Sequence, residues 1–191
     1  VELTESLIQR EEVVVTQKKD KADVLNEMAL ISARAFSVEE TERYAGSLND
    51  PARMASSFAG VLNDPEGNNS IVVRGNSSSG VQWRLEGMEI PNPNHFANEG
   101  MTGGPINALN SDMLANSDFF TGAFAPEYGN AYSAVFDMRL RTGNTENEEY
   151  SVSISGIGLD ATAEGPLPVG KNASYVANYR YSSIALLSNL G

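Results

Sequence analysis

The 191-residue sequence has no cysteine, a single histidine (His95), a single tryptophan (Trp83) and only 13 lysines and arginines. Without cysteine there is no disulfide, no zinc–thiolate centre and no cysteine nucleophile, so redox chemistry is set aside; compartment is left open, because many envelope proteins also avoid cysteine. Against 25 acidic residues the few basic ones leave a net charge of −12, and no Lys/Arg cluster stands clear of acidic neighbours. That argues against an electrostatic nucleic-acid surface and favours partners that are neutral, cationic or recognised by shape. Long apolar runs are missing too: nothing approaches the ~20 residues of a membrane helix. VELTESLIQREE lacks a basic stretch followed by an apolar one, so any signal peptide is expected to lie outside this sequence.

The residues that enzymes use are thin. A Ser-His-Asp arrangement would have to use His95, and there is no G-x-S-x-G elbow. RGNSSSG has the glycines of a phosphate loop but not its G-K-[ST] ending, and NDPEGNN lacks the dense acidic alternation of a calcium loop. Glu86, Glu89, Asp112, Asp118, Glu127 and Asp137 leave a glycosidase pair formally open, but solvated acids are the ordinary reading at this net charge. The expectation is therefore no enzyme, no catalytic residue, no metal and no cofactor. What survives is binding or gating: Asn, Ser, His, Phe, Tyr and Trp gather in connections and near strand ends, where loops on a rigid sheet carry recognition.

A hydrophobic fraction of 41% over this length is enough for the core of one ordinary domain. Near the N-terminus a β-branched block, Val13, Val14, Val15 and Thr16, is bracketed by Glu11-Glu12 and Lys18-Lys19, the pattern of a protected edge strand or of a segment kept available for strand addition. Ser37 and Glu40 form a capping box for a helix ending near Gly46, and Asp50-Pro51 starts a second one ending at Gly60. LNDPEGNNS (62–70) reads as a loop. Short strands follow: IVVRG (71–75), then VQWRLEGMEI (81–90) folded at a tight Glu86-Gly87 turn. After the loop 91–105 come a short helix over INALNSDML (106–114) and a strand in ANSDFFTG (115–122). From Ala134 to Arg141 the period is two, with Ala134, Phe136, Met138 and Leu140 on a buried face and Val135, Asp137, Arg139 and Arg141 opposite.

The tail is different. Tyr150, Val152 and Ile154 alternate with serines, and later Tyr175, Ala177, Tyr179 and Tyr181 alternate with Val176, Asn178, Arg180 and Ser182. Segments of about ten residues, apolar on one face and polar on the other, look like an outer-membrane barrel strand pair; a soluble hairpin has the same pattern.

IVVRG, then RLEGMEIP, then SDFFTGAFAPEYGNAYSAVFDMRLRTG resemble, in order and spacing, the plug domain of TonB-dependent outer-membrane receptors, over about residues 13–143. Tyr128-Gly129 resembles the family's Y-G turn, and EEVVVTQ its TonB box. The basic residue and Gly-Pro that usually open that turn are replaced by Thr121 to Pro126. The overall pattern looks like that of Bacteroidota receptors, which often carry a small carboxypeptidase-regulatory-like β-domain before the plug. The resemblance implies an α+β fold: a small mixed β-sheet with short helices and long loops, plus a C-terminal β-hairpin. It divides the chain into a segment 1–20, a plug 21–143 and first barrel strands 144–191. It implies uptake of a nutrient such as a glycan, peptide or metal chelate at the outer membrane, with the N-terminus in the periplasm. The partners it implies are TonB, through Val13 to Thr16, and a nutrient ligand touching Asn94, His95 and Phe96. Arg74 and Arg84 would face acids of the barrel wall. The alternative is a stand-alone periplasmic or surface binding module.

Overall fold

A computed structural model describes residues 24–29, 31–37, 43, 50–63, 70–95, 97, 103–104, 106–155, 158–169 and 173–182. At its centre is a five-stranded mixed sheet in the order β1-β8-β9-β4-β5, made of β1 (Ala33–Phe36), β4 (Val81–Leu85), β5 (Met88–Ile90), β8 (Ser117–Phe120) and β9 (Ala134–Met138). All its neighbours are antiparallel except β9 and β4, which run parallel with Val81 opposite Ala134 and Leu85 opposite Met138. The β4–β5 hairpin closes as the sequence predicts: Glu86 and Gly87 both have positive φ, 52° and 77°, as a two-residue type I′ turn requires.

The strand β9 departs from expectation. All five residues from Ala134 to Met138 are buried, so the strand has two covered faces instead of one. On one face Phe136 is sandwiched by Trp83 (ring centroids 4.4 Å apart, 8° between planes) and Phe119 (4.3 Å), with Phe36 edge-on at 5.8 Å. Together with Ile71, Val73, Met54 and Met138 these rings form the main core. Each such aromatic pair contributes about 0.5–1.5 kcal/mol beyond its buried area. The other face carries a smaller cluster of Phe120, Ala125, Tyr128 and Val135, against which Val24 and Ala29 pack. Asp137 lies on that second face, buried with hydrogen-bond partners, which is why a charged residue in the alternation did not mean a solvated face.

Asp50 caps the helix α1 (Pro51–Ala55) by accepting a hydrogen bond from Ala52 N at 2.9 Å. α1 stops well short of Gly60, where Ser56 Oγ donates back to Arg53 O. Of the helix expected from the capping box, only Ser37 and a helical Arg43 are among the described residues. Leu62 and Asn63, expected in a loop, belong to β2 (Val61–Asn63), which forms a two-stranded ribbon with β3 (Ile71–Val73). INALNSDML is not a helix. Its first residues form β7 (Ile106–Asn107), paired with β6 (Asn94–His95), and Ser111–Met113 make one 3-10 turn. Asn107 and Asn110 accept hydrogen bonds from backbone N–H groups two residues on, Leu109 and Asp112, and so compete with helical pairing.

The expected C-terminal hairpin has a third strand: β10 (Glu149–Ser155), β11 (Gly158–Pro166) and β12 (Ser174–Ser182) form an antiparallel meander. Its register aligns Tyr150, Val152 and Ile154 with Ala163, Ala161 and Leu159, and these with Ala177, Tyr179 and Tyr181, so one face is apolar throughout. That face is open: Tyr150, Val152, Ile154, Tyr179 and Tyr181 are all more than half exposed, Ile154 at 82%.

Candidate functional site

The strand directions bring several loops to one end of the main sheet. β4 and β9 begin there, β8 ends there, and β1 starts there, so Ser32, the 76–80 connection, the start of the 91–105 loop and residues 121–133 share that end. At this end Tyr132 stands exposed over Gly80, so close that a Cβ on Gly80 would clash with its ring. Its hydroxyl lies 3.1 Å from Ser79 Oγ, which in turn lies 2.8 Å from Ser77 Oγ. The opposite end holds the Glu86-Gly87 turn and residues 139–141, from which the chain runs on to β10.

Of the three residues expected to touch ligand, two are described, and they are neighbours in β6 with different exposure. Asn94 is buried in β6, its backbone N–H donating to Asn92 Oδ1 at 2.8 Å, while His95, the next residue of the strand, is exposed. Gly104 closes over this ribbon, since a Cβ there would lie 2.6 Å from His95 O. Phe96 lies outside the described residues, as do all four residues of the strand-addition block, Val13 to Thr16. Among the described residues no three His, Asp or Glu side chains gather to hold a metal ion. The two arginines expected to face a barrel wall are engaged within this body. Arg74 Nη2 donates to Ser32 Oγ and Thr121 Oγ1 at 3.3 and 3.2 Å. Arg84 Nη1 donates to Glu127 O at 3.1 Å, and its guanidinium lies 5.1 Å from the centroid of the Tyr128 ring.

A polar network on the second face of the sheet was not anticipated. Asp118 and Asp137 are cross-strand partners and both are buried, contrary to the solvated acids expected. Asp118 accepts the backbone N–H of Leu25 at 2.9 Å and of Asn26 at 2.8 Å, one on each carboxylate oxygen. Asn26 Nδ2 donates to Glu127 Oε1 and Tyr128 Oη, and Tyr128 donates on to Asp137 Oδ2. Burial is the main reason that the Asp118 carboxyl is pushed above its ordinary range, opposed by its two backbone donors. Burial likewise pushes the Tyr128 hydroxyl up, so it stays protonated and able to donate. The signals for this network were Asp118 and Asp137 inside strand patterns, but the partners of Asp118, 92 and 93 residues away, were not visible locally.

The meander meets the rest of the chain through its polar face. Arg141 Nη1 pairs with Glu164 Oε2 at 2.6 Å, and Glu164 also accepts Asn144 N at 3.0 Å. Asn110 Nδ2 donates to Asp160, whose other oxygen accepts from Asn178, and Arg180 Nη1 reaches Leu109 O at 3.4 Å.

No protein-family model matches the chain, and no curated protein sequence does. Solved structures do. A single-site variant of the ferric enterobactin receptor of Pseudomonas aeruginosa, bound to enterobactin, matches over 77% of this chain with a TM-score of 0.51 and 16% identity. A second variant of that receptor matches over 78% with the same TM-score and identity. In both cases the match covers 24% of the receptor chain, so this chain spans about a quarter of its length. At such identity the likeness is one of fold: the chain has the plug-like α+β fold, with a mixed sheet, few short helices and long loops.

Proposed function

We propose that the chain is the plug, with the first barrel strands, of a TonB-dependent outer-membrane receptor of the Bacteroidota-like kind, which takes up a nutrient such as a glycan, peptide or metal chelate. The observation that carries this reading is the two-sidedness of the meander. Its polar face is bonded to the plug-like body through Glu164 and Asp160, while its apolar face, from Tyr150 to Tyr181, points away from that body. A strand with polar residues towards a filled lumen and apolar residues outward suits a barrel wall in lipid. In a soluble sheet that much contiguous apolar surface would be left in water.

In this reading residues 21–143 are the plug and 144–191 enter the barrel, and segment 1–20 reaches the periplasm, where Val13 to Thr16 add as a strand to TonB. The end bearing Tyr132 and the 91–105 loop faces outward and meets the nutrient, with Asn94, His95 and Phe96 among its contacts. The ferric enterobactin receptors of similar fold favour a metal chelate among the three nutrient classes. Fractionation of cells producing the native protein tests the proposal. Recovery in the outer membrane, with heat-modifiable gel mobility, is expected; recovery as a soluble protein would sink it and leave a stand-alone binding module.

A further inference from the structure

We propose that Asp118 is the latch of a strap: its carboxylate fastens Leu25 and Asn26 across the second face of the main sheet, and opening it frees the chain as far as Ser32 while the main core stays closed. The attachment differs in kind from those around it. Leu25 and Asn26 are held by their backbone N–H groups to one side chain, at 2.9 and 2.8 Å, not by a ladder of strand pairs. Charge-assisted bonds of this sort are strong, but both depend on a single carboxylate and are lost with it. Asn26 adds a side-chain tie to Glu127 and Tyr128, while Leu25, Glu27 and Met28 are exposed.

The next anchorage is a knot. Thr121 N and Oγ1 both donate to Ser32 O, Arg74 bonds both residues, and β1 then pairs with β8 from Ala33 to Phe36. Among the described residues, opening at Asp118 therefore meets its next anchorage at Ser32. What it uncovers is local as well: Val24 and Ala29 cover the smaller cluster of Phe120, Ala125, Tyr128 and Val135, and neither touches the main core on the opposite face. The latch does not rest on the proposed receptor function.

The absence of cysteine makes introduced thiols unique reporters in the full chain. Ala125→Cys reports the smaller cluster and Ala55→Cys the main core; both sites are buried. In an Asp118→Asn background, thiol labelling at position 125 is expected to accelerate roughly tenfold or more, with labelling at position 55 changing less than about twofold. Unchanged labelling at 125, or equal acceleration at both sites, overturns the latch. Should Asp118→Asn fail to fold, Leu25→Pro removes one donor from an exposed position without altering the sheet. It is expected to accelerate labelling at 125 several-fold, and no acceleration would be equally fatal. Either result is read on the isolated chain, so it stands apart from the cell-fractionation outcome.

Discussion

Tyr128 donates its hydroxyl to Asp137 Oδ2 at 3.0 Å, binding the 121–133 loop to the central strand of the sheet through two buried side chains. The bond does more than close a loop. Asp137 is 5% exposed, and among the described residues the same oxygen also meets Arg139, at 3.3 Å and itself nearly half exposed. Tyr128→Phe keeps the ring that packs on Phe120 and removes the hydroxyl, with its bond to Asp137 and the one it accepts from Asn26. A loss of about 1.5–3 kcal/mol is expected, the range for a hydrogen bond to a charged group, measured by urea unfolding of the full chain. A loss below about 0.5 kcal/mol, the size of an ordinary surface change, would mean that Asp137 finds another partner.

Asp50 provides a pH test with a definite sign. Its carboxyl is raised above its ordinary value of 3.8, first by burial, against which the bonds from Ala52 and Asn107 pull it down. A raised carboxylate pKa means that the folded state binds the proton more readily than the unfolded chain. The penalty for ionising Asp50 is thus fully present near neutrality and disappears as pH falls through the raised value towards 3.8. Asp50→Asn keeps a good N-cap without the charge. The stability of Asp50→Asn relative to the native chain is expected to fall on acidification from pH 7 to about 4; denaturant titrations that give a flat or rising difference would refute this assignment.

Much of the fold was legible, and the parts that were not share a cause. Period-two alternation and turn chemistry located β4, β5, β8 and the outer strands β10 and β12 of the meander, though not β11 between them, because these signals lie within a few residues: Glu86-Gly87 is itself the turn. β9 was located but its burial was misjudged, since what covers Val135 and Asp137 is Tyr128 and the strap, brought there by the tertiary fold. The 106–114 stretch failed as a helix because Asn107 and Asn110 use their side chains on the backbone, a contest that apolar periodicity does not register. For the candidate site the limit was distance along the chain. Asp118 and Asn26 are 92 residues apart, and nothing near either announces the other.

Two glycines separate soft from hard crowding. A Cβ on Gly80 would meet the ring of Tyr132, an exposed side chain able to swing aside; one on Gly143 would meet the carbonyl of Tyr175, which is backbone of β12. Gly80→Ala is expected to cost less than about 1 kcal/mol, and Gly143→Ala about 1–3 kcal/mol, the usual penalty for overpacking. Hydrogen exchange should place the second loss in the β11–β12 pairing, and equal costs would contradict the contrast.

Arg141 ties the plug-like body to the meander, since it donates through Nε to Asp112 O and through Nη1 to Glu164. The pair is mostly shielded, with side-chain exposures of 28% and 12%, so it escapes much of the screening that weakens surface pairs. Removing the guanidinium leaves Glu164 with only the Asn144 N–H among these partners and frees a carbonyl of the 3-10 turn. Arg141→Met, which keeps the length and loses the charge, is expected to cost about 1–3 kcal/mol. Exchange protection at the Asn144 amide should fall by an order of magnitude or more, while the β4–β9 amides keep theirs. If Asn144 stays protected, the polar face of the meander is held by Asp160 with Asn110 and by Arg180 with the Leu109 carbonyl, and Arg141 is not the main tie.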